Sequence, residues 1–323
     1  MKRKTLVAVF CSALLLTGCA DTAKTESGSA SSAAETTAPQ PVEHALVTLG
    51  DSIAFGYGME DPDNQRYSAI IAKKLAERDD ADWHDYNYAL SGDDSSDLLW
   101  RLERGRAMRL PSADTIIINI GSNNLLRVYS DYVKDVTDID TDMDIESITD
   151  EQIEAMQTKI ENAFQDEEAV RRELQSRIDT NLQQLETDLD AIYNWIRERN
   201  PDGQVYVLNI YNPYRGMESA GLPGETESFG DYAQEQIDRA NAILSAFTDA
   251  HSDLIPVDVA KAFANCDPVP IIGKTELPED VSLPDGSDAA SQFDEAEFVD
   301  PHPNEAGQQL IADTIWAEME SHA

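Results

Sequence analysis

One serine stands in a short segment whose residue types suit a strand-to-helix turn. The segment Gly50–Gly56 begins with Gly50, Asp51 and Ser52 and directly follows an apolar run, so Ser52 is expected at the carboxyl end of a strand. A hydroxyl held there is exposed near the positive end of the following helix, which suits it to act as a nucleophile. A simple helix cap is the alternative interpretation. We interpret Asp51 as a brace of this turn and not as a base.

Two further segments supply hydrogen-bond donors. Gly92 ends the segment Asn87–Gly92, which follows the second apolar run, and a glycine there lets a backbone N–H approach a ligand. Asn123, in the segment Gly121–Asn124, follows the third apolar run and supplies a side-chain amide. Both donor types stabilise negative charge on oxygen, so these segments predict an oxyanion hole.

An imidazole completes the set, because His302 stands just before the last predicted helix. In acyl transfer, Ser52 would attack the carbonyl carbon, and His302 would take its proton and return it to the leaving alcohol. The N–H groups of Ser52 and Gly92 and the amide of Asn123 would surround the developing oxyanion. One such donor is worth about a hundred- to thousandfold in rate. This chemistry needs no metal and no cofactor, and we predict neither.

These residues form one site only if the elements before them end at one edge of a sheet. Short apolar runs alternate with longer amphipathic ones, which predicts right-handed crossovers, a parallel sheet of about five strands and helices on both faces. In such an α/β sheet, ligands bind beyond the carboxyl ends of the strands. The predicted strands are Ala45–Leu49, Trp83–Tyr88, Thr115–Ile120, Val205–Tyr211 and Leu254–Val257. The predicted helices are Arg66–Arg78, Ser96–Met108, Ala169–Arg199, Tyr232–Ala250 and Asn304–Met319.

Taken in order, the four segments resemble the SGNH hydrolases, also called the GDSL esterase/lipase family, across about Ala45–His322. The four family letters fall on Ser52, Gly92, Asn123 and His302. The resemblance implies a flavodoxin-like, three-layer α/β/α fold and a serine hydrolase that acts on esters.

Two positions depart from the family pattern. Asn124 stands where the third segment usually has Asp, which we expect to be tolerated because the neighbouring asparagine is the donor. The last segment usually reads Asp-x-x-His, whereas Asp300 lies only two residues before His302. We expect Asp300 to reach the imidazole through a tight Pro-containing turn and to complete a triad. Alternatively a backbone carbonyl, Glu297 or Asp294 orients the imidazole, and the site is a Ser-His dyad.

The amino terminus is typical of an export signal. A basic start precedes the apolar run Thr5–Leu16, which is too short to span a bilayer, and the segment Leu16–Cys19 resembles the lipobox of bacterial lipoproteins. We therefore predict a signal peptide over residues 1–18, acylation of Cys19, and a flexible Ser/Thr/Ala-rich tether over residues 19–43. An ordinary secretory signal cleaved elsewhere is the alternative. The predicted location is the extracytoplasmic face of the cell membrane.

The predicted hydrolase domain, residues 44–323, contains two stretches outside the minimal pattern. An acidic insertion at about 129–168 includes a capping box at Thr149 that predicts a helix start. Alternating acids from Asp138 onward invite a calcium interpretation, but the glycine and the final glutamate of a calcium-binding loop are missing, so a solvated insertion is favoured. The long acidic loop Gly273–Asp300 predicts either a lid over the site or a mobile segment.

The charge balance excludes some partners. The chain has 62 Asp+Glu against 24 Lys+Arg, a formal net charge of -38, which disfavours nucleic acid and anionic membrane surfaces. A local basic patch could act against this average, since Arg101, Arg104, Arg106 and Arg109 are predicted on one helix. The three cysteines provide no disulfide framework, and Cys266 is expected to be a buried free thiol.

The sequence therefore predicts a lipid-anchored serine esterase that acts on short acyl chains or acetylated carbohydrate. Its expected partners are a small-molecule or glycan ester and, through Cys19, a membrane. A lysophospholipase- or thioesterase-type lipase is the alternative within the enzyme class. A solute-binding lipoprotein that has lost catalysis is the alternative outside it. The segment Tyr211–Tyr214 follows the fourth strand and could line the pocket.

Overall fold

The structure is a computed structural model that describes most of the predicted domain. The described residues are 43–137, 162–218, 228–274 and 299–322, together with residues 155, 158 and 159. The predicted signal peptide, nearly all of the tether, the possible calcium ligands, the capping box at Thr149 and most of the long acidic loop lie outside these residues.

Five parallel strands form the central sheet in the order β2-β1-β3-β4-β5, which is the flavodoxin-like order. The strands are β1 (Glu43–Gly50), β2 (Asp82–Asn87), β3 (Thr115–Asn119), β4 (Gln204–Leu208) and β5 (Leu254–Val257). All five predicted strands are present, although several differ at their ends. Every residue of β3 is buried, as expected for a strand that helices cover on both faces. The predicted α/β fold is confirmed.

Helices cover both faces of this sheet. They are α1 (Ser52–Phe55), α2 (Pro62–Gln65), α3 (Tyr67–Asp79), α4 (Ser95–Glu103), α5 (Ser122–Thr137), α6 (Glu167–Arg199), α7 (Phe229–Ala250), α8 (Val259–Ala264) and α9 (Glu305–Ser321). Within the part of the chain that the structure describes, none of the helices is both long and apolar enough to cross a membrane.

Alternate residues of each strand face opposite layers, as the pleat requires. Ile116 and Ile118 of β3 contribute to the core beneath α4, α5, α6 and α7, which we call the α5 face. Ile117 contributes to the core beneath α3, α8 and α9, which we call the α9 face. Packed cores therefore hold the sheet on both faces.

Helix α4 ends five residues earlier than predicted. Gly105 adopts a left-handed conformation (φ +68°) and its N–H donates to Leu102 O at 2.9 Å, while the N–H of Arg106 donates to Arg101 O at 3.1 Å. These two bonds form a Schellman motif, which closes a helix with a glycine just beyond its end. The prediction that four arginines share one helix is therefore wrong, and only Arg101 lies within α4.

A helix and a two-stranded hairpin near the site were not predicted. Helix α5 starts at Ser122, inside the asparagine-containing segment, and continues into the predicted acidic insertion as far as Thr137. Strand β6 (Ile271–Lys274) pairs antiparallel with β7 (Val299–Pro303), so the two ends of the long acidic loop form a hairpin. This hairpin is the element that carries His302.

Candidate active site

The nucleophile candidate, Ser52, is the first residue of α1. Asp51 caps this helix, because its Oδ1 accepts the N–H of Ile53 at 2.9 Å. A Cβ on Gly50 would lie 2.3 Å from the carbonyl oxygen of Asn119, so only glycine allows β1 to end this close to β3. The turn therefore has the braced form that the sequence predicts, with Ser52 at the carboxyl edge of the sheet.

His302 and Asp300 meet Ser52 at this edge. His302 Nε2 lies 2.8 Å from Ser52 Oγ, and His302 Nδ1 lies 2.6 Å from Asp300 Oδ1. The same carboxylate oxygen accepts the backbone N–H of His302 at 3.0 Å. The three side chains thus form a continuous relay from carboxylate through imidazole to hydroxyl, the arrangement that activates a serine nucleophile.

The path by which Asp300 reaches the imidazole differs from the predicted turn. Residues Val299–Pro303 form the extended strand β7, and residues i and i+2 of a strand point to the same side. The two-residue spacing therefore places the carboxylate beside the ring without a turn. Glu297 and Asp294, the alternative partners, lie outside the described residues.

Two tyrosines hold the histidine strand and its ring. The ring of Tyr57 lies 4.3 Å from the imidazole of His302, centroid to centroid. The hydroxyl of Tyr211 donates to Pro301 O at 2.7 Å, and His302 is only 5 % exposed. Sequence reasoning missed Tyr57, which belongs to no recognisable motif and lies just after the one-turn helix α1.

The predicted oxyanion donors converge on the same edge. Gly92 lies in a turn next to β1, since the N–H of Leu90 donates to Gly50 O at 3.1 Å. The amide of Asn123 donates to Asp93 O at 2.9 Å, which leaves its second N–H for a ligand. Among the described residues, no acceptor takes the backbone N–H of Ser52 or Gly92. The three donors can therefore serve an incoming oxyanion.

Asn124, the departure from the family pattern, links three helices. Its Oδ1 accepts the N–H of Ser95 at 3.1 Å, and its Nδ2 donates to Ser95 Oγ at 2.8 Å. The backbone oxygen of Asn124 accepts a hydrogen bond from Asn181 of α6 at 3.1 Å. A carboxylate could accept but not donate here, so the asparagine suits a position that needs both roles.

Two buried carboxyl groups flank the site. Burial raises the pKa of Asp51 to about 7, although its hydrogen bond from Ile53 acts in the opposite direction. Asp51 is fully buried, and its Oδ2 has no hydrogen-bond partner among the described residues. Burial also raises the pKa of Asp93 to about 6, and outweighs the opposing effect of the neighbouring Arg101. Both groups favour the protonated form far more than an exposed carboxyl does.

An apolar pocket opens beside Ser52 and His302 and continues into the α5 face. It encloses roughly 740 Å³, part of which is open to solvent. Its walls come from α5, α6, α7 and the segment after β4, and are mainly aliphatic and aromatic. The apolar lining residues are Ile53, Leu125, Leu126, Tyr129, Ile178, Ile210, Tyr211, Pro213, Tyr214, Phe229, Tyr232, Ala233, Ile237 and Pro301. A hydrophobic group bound at the serine would have space here.

Three residues of the segment Tyr211–Tyr214 line this pocket, whereas Asn212 does not. The Asn212 amide donates to Gly230 O at 3.0 Å, and its Oδ1 accepts the N–H of Tyr214 at 2.8 Å. Asn212 therefore fixes the segment against the start of α7. The sequence could not show that α5 and α7 form walls of the pocket, because their apolar residues have the spacing of ordinary core positions.

The described residues contain no cluster of three or more His, Cys, Asp or Glu side chains that could hold a metal ion. Cys266 is partly buried, not fully buried as predicted, and its Sγ lies 3.5 Å from Ala262 O. It does not line the pocket.

The chain is similar to a known protein family and to several solved structures. The model of the GDSL-like lipase/acylhydrolase family matches residues 48–310. A lipase from a goat rumen metagenome is 16 % identical, covers 85 % of this chain and 97 % of its own, with a TM-score of 0.52. An extracellular lipase from Streptomyces rimosus is 20 % identical. The match covers 87 % of this chain and 100 % of the lipase, with a TM-score of 0.51. Phospholipase A1 from Streptomyces albidoflavus NA297 is 17 % identical. The match covers 87 % of this chain and 99 % of the phospholipase, with a TM-score of 0.52. A search among curated proteins gave no match. At these identities the structural likeness shows the fold.

Proposed function

This chain belongs to the GDSL-like lipase/acylhydrolase family and hydrolyses ester bonds, and we propose that it does so through an acyl-enzyme on Ser52. The observation that carries the proposal is the relay of Asp300, His302 and Ser52 beside an apolar pocket. The relay supplies a base for the hydroxyl and the pocket supplies a place for the acyl group.

The reaction proceeds in two balanced steps. In the first, Ser52 Oγ bonds to the acyl carbon while His302 Nε2 takes the hydroxyl proton. The C–O bond to the alcohol then breaks as that proton passes to the leaving alcohol oxygen. In the second, water attacks the acyl carbon while His302 takes a proton from it. The bond between the acyl carbon and Ser52 Oγ then breaks as that proton passes to Oγ, and the carboxylic acid leaves. Asp300 holds the tautomer of His302 and stabilises the imidazolium in both steps.

The oxyanion of each step lies among the predicted donors. The backbone N–H groups of Ser52 and Gly92 and the amide of Asn123 donate to it. Because these donors are already held in place, stabilising the charge costs little reorganisation.

The pocket favours apolar acyl chains over acetyl groups as the substrate class. An acetyl group would leave most of the apolar wall formed by α5, α6 and α7 without contact. From Asn123 to Tyr129 the pocket follows α5 for roughly 9 Å, at a rise of about 1.5 Å per residue. An extended chain advances about 1.1 to 1.2 Å per bond, so this length holds roughly eight carbons. The lipase alternative is therefore better supported than the acetylated-carbohydrate prediction.

The test is a chain-length series of p-nitrophenyl esters, from acetate through butyrate to octanoate, with the purified chain. Each buried CH₂ is worth about 0.8 kcal/mol, so kcat/KM should rise about fourfold per added carbon up to octanoate. Ser52→Ala should be inactive on every ester. A maximum at acetate would contradict the acyl-chain proposal and favour deacetylation. A folded wild type that is inactive on all esters would favour the solute-binding alternative.

The location remains a proposal from the sequence: a lipid anchor on Cys19 at the extracytoplasmic face, with the catalytic domain held on a tether. The lipobox-like segment Leu16–Cys19 supports it. In a bacterial host, Cys19→Ala should move the protein from the membrane fraction to a soluble fraction. Retention of this variant in the membrane would contradict the anchor. The strong negative charge of the chain supports the further proposal that nucleic acid is not a partner.

A further inference from the structure

We propose that Arg101 is a positioning residue for the oxyanion hole. It holds the turn that carries Gly92, and through Asp93 it also fixes the amide of Asn123. The inference rests on the proposed function, because it concerns the donors of that acyl-transfer site.

The turn with Gly92 lies outside the helices and strands. It is a β-turn over Leu90–Asp93, in which the N–H of Asp93 donates to Leu90 O at 3.2 Å. Gly92 occupies its third position with φ +86°, as a type II turn requires. The turn has only this one internal backbone hydrogen bond, so the direction of the Gly92 N–H depends on what holds its two ends.

Arg101 contacts the chain on both sides of Gly92. One terminal nitrogen of its guanidinium donates to Tyr88 O at 2.7 Å, at the exit of β2. The other forms a close ion pair with the carboxylate of Asp93, at the end of the turn. The side chains of Arg101 and Asp93 are only 15 % and 8 % exposed. A planar guanidinium offers both donors in a fixed geometry, so it spans the turn as a rigid brace.

Asp93 also connects this brace to the second donor. Its backbone oxygen accepts the amide of Asn123 at 2.9 Å, while its side chain pairs with Arg101. A displacement of Asp93 would therefore move the Gly92 peptide and release the Asn123 amide together. The ion pair on Asp93 thus controls two of the three predicted donors, although Arg101 itself is not among the lining residues of the pocket.

The test compares Arg101→Met with Arg104→Met. Arg104 directly follows the same helix, is exposed, and stacks on Trp100 with its guanidinium carbon 3.9 Å from the ring centroid. Rates on p-nitrophenyl octanoate are expressed per active site, counted by titration with diethyl p-nitrophenyl phosphate, so that unfolded protein does not count. Arg101→Met should lower kcat at least tenfold with KM within twofold, because the oxyanion exists only in the transition state. Arg104→Met should stay within twofold of wild type in both constants.

Two further measurements distinguish positioning from a general structural role. The rate at which the phosphate ester reacts with Ser52 should fall in step with kcat, since that reaction also develops charge on an oxygen at the donors. Arg101→Lys should recover part of the loss, because it keeps a cation beside Asp93. If Arg101→Met does not fold, Asp93→Asn serves instead, and should lower kcat by threefold or more with KM unchanged.

An unchanged kcat in Arg101→Met, or in Asp93→Asn where the first variant does not fold, would overturn the inference. A rise in KM alone would overturn it as well. The proposed function is tested separately in the same experiment by Ser52→Ala. If Ser52→Ala remains active, the proposed function fails. If activity depends on Ser52 but Arg101→Met keeps the full kcat, only the role of Arg101 is overturned.

Discussion

The two faces of the sheet are built for different purposes. On the α9 face, Leu46, Ile117 and Tyr206 are buried beneath α3, α8 and α9 in a continuous apolar core. On the α5 face, the helices bury an equally apolar layer but also form the walls of the pocket beside Ser52. Because side chains alternate between the two faces of the pleated sheet, the same strands support the packed core of the α9 face and the pocket of the α5 face. We therefore expect catalytic position and acyl selectivity to depend on different parts of the chain.

The catalytic edge connects the two faces, and each of its segments is held in part by hydrogen bonds between residues only a few positions apart. Asp51 caps α1, Asp300 holds His302 two residues away, and Asn304 caps α9 by accepting the N–H of Gly307 at 3.0 Å. The pocket, in contrast, depends on packing between segments far apart in sequence. Changes at the edge should therefore affect turnover on all esters, whereas changes in the α5 face should affect the choice among them.

The largest effect is expected from Asp300→Asn. The amide cannot hold the imidazole in the required tautomer or stabilise its cation, so kcat should fall by about 10³- to 10⁴-fold on every ester. The measurement is kcat for acetate and octanoate esters, with Asp313→Asn, a substitution at an exposed aspartate on α9, as the matched control. A loss of less than tenfold would mean that the site works as a Ser-His dyad.

Asn123→Ala should have the next largest effect. Removing one oxyanion donor costs about 3 to 4 kcal/mol, a hundred- to thousandfold in kcat, with KM little changed. The loss should be equal for short and long acyl chains, because the donor lies at the reacting carbonyl. Equal kcat in the variant and the wild type would show that another group provides the donor.

Ala233→Leu should change selectivity more than turnover. Ala233 lies on α7 among the pocket residues, and a larger side chain would occupy space that we propose for the acyl chain. The ratio of kcat/KM for octanoate over acetate should fall at least tenfold, while the acetate rate stays within about twofold. Ala242→Leu, at an exposed position of the same helix, should leave the ratio unchanged. A parallel loss on both esters would indicate that the pocket does not hold the acyl chain.

The smallest effect on turnover, and a clear one on stability, is expected from Asp51→Asn. Because burial raises the pKa of Asp51 to about 7, the native state holds a proton that the unfolded state loses near the ordinary pKa of 3.8. Wild-type stability should therefore fall as pH rises from about 4 to about 7. The Asp51→Asn variant keeps the hydrogen bond from Ile53 and has no titrating group at this position. Its free energy of unfolding relative to the wild type, measured in urea titrations, should therefore rise by about 3 kcal/mol between pH 5 and pH 8. Parallel pH curves for the two proteins would contradict this.

The fold and the catalytic edge could be predicted because their signals are local. Each catalytic segment follows a strand directly, so Ser52, Gly92 and Asn123 reach one edge as soon as the strands are parallel. The strand run Ile116–Ile118 indicates burial on both faces without any tertiary information.

The rest could not be predicted, because its signals are geometric or lie far apart in sequence. The spacing of Asp300 and His302 looked like a departure, since the sequence does not show that these residues form a strand. The end of α4 depends on the left-handed conformation of Gly105, which interrupts an otherwise helical pattern. The pocket brings together Leu125, Ile178 and Ile237 from three helices, and each position alone is typical of a core.

The most direct test of the account is covalent labelling of the nucleophile. The full chain is treated with diethyl p-nitrophenyl phosphate, digested, and analysed by mass spectrometry, beside the Ser52→Ala and His302→Ala variants. We predict a single diethyl phosphoryl adduct on Ser52, none in Ser52→Ala, and greatly slowed labelling in His302→Ala. Stoichiometric labelling of another residue, with ester hydrolysis intact in Ser52→Ala, would contradict the central claim that Ser52 carries the acyl group.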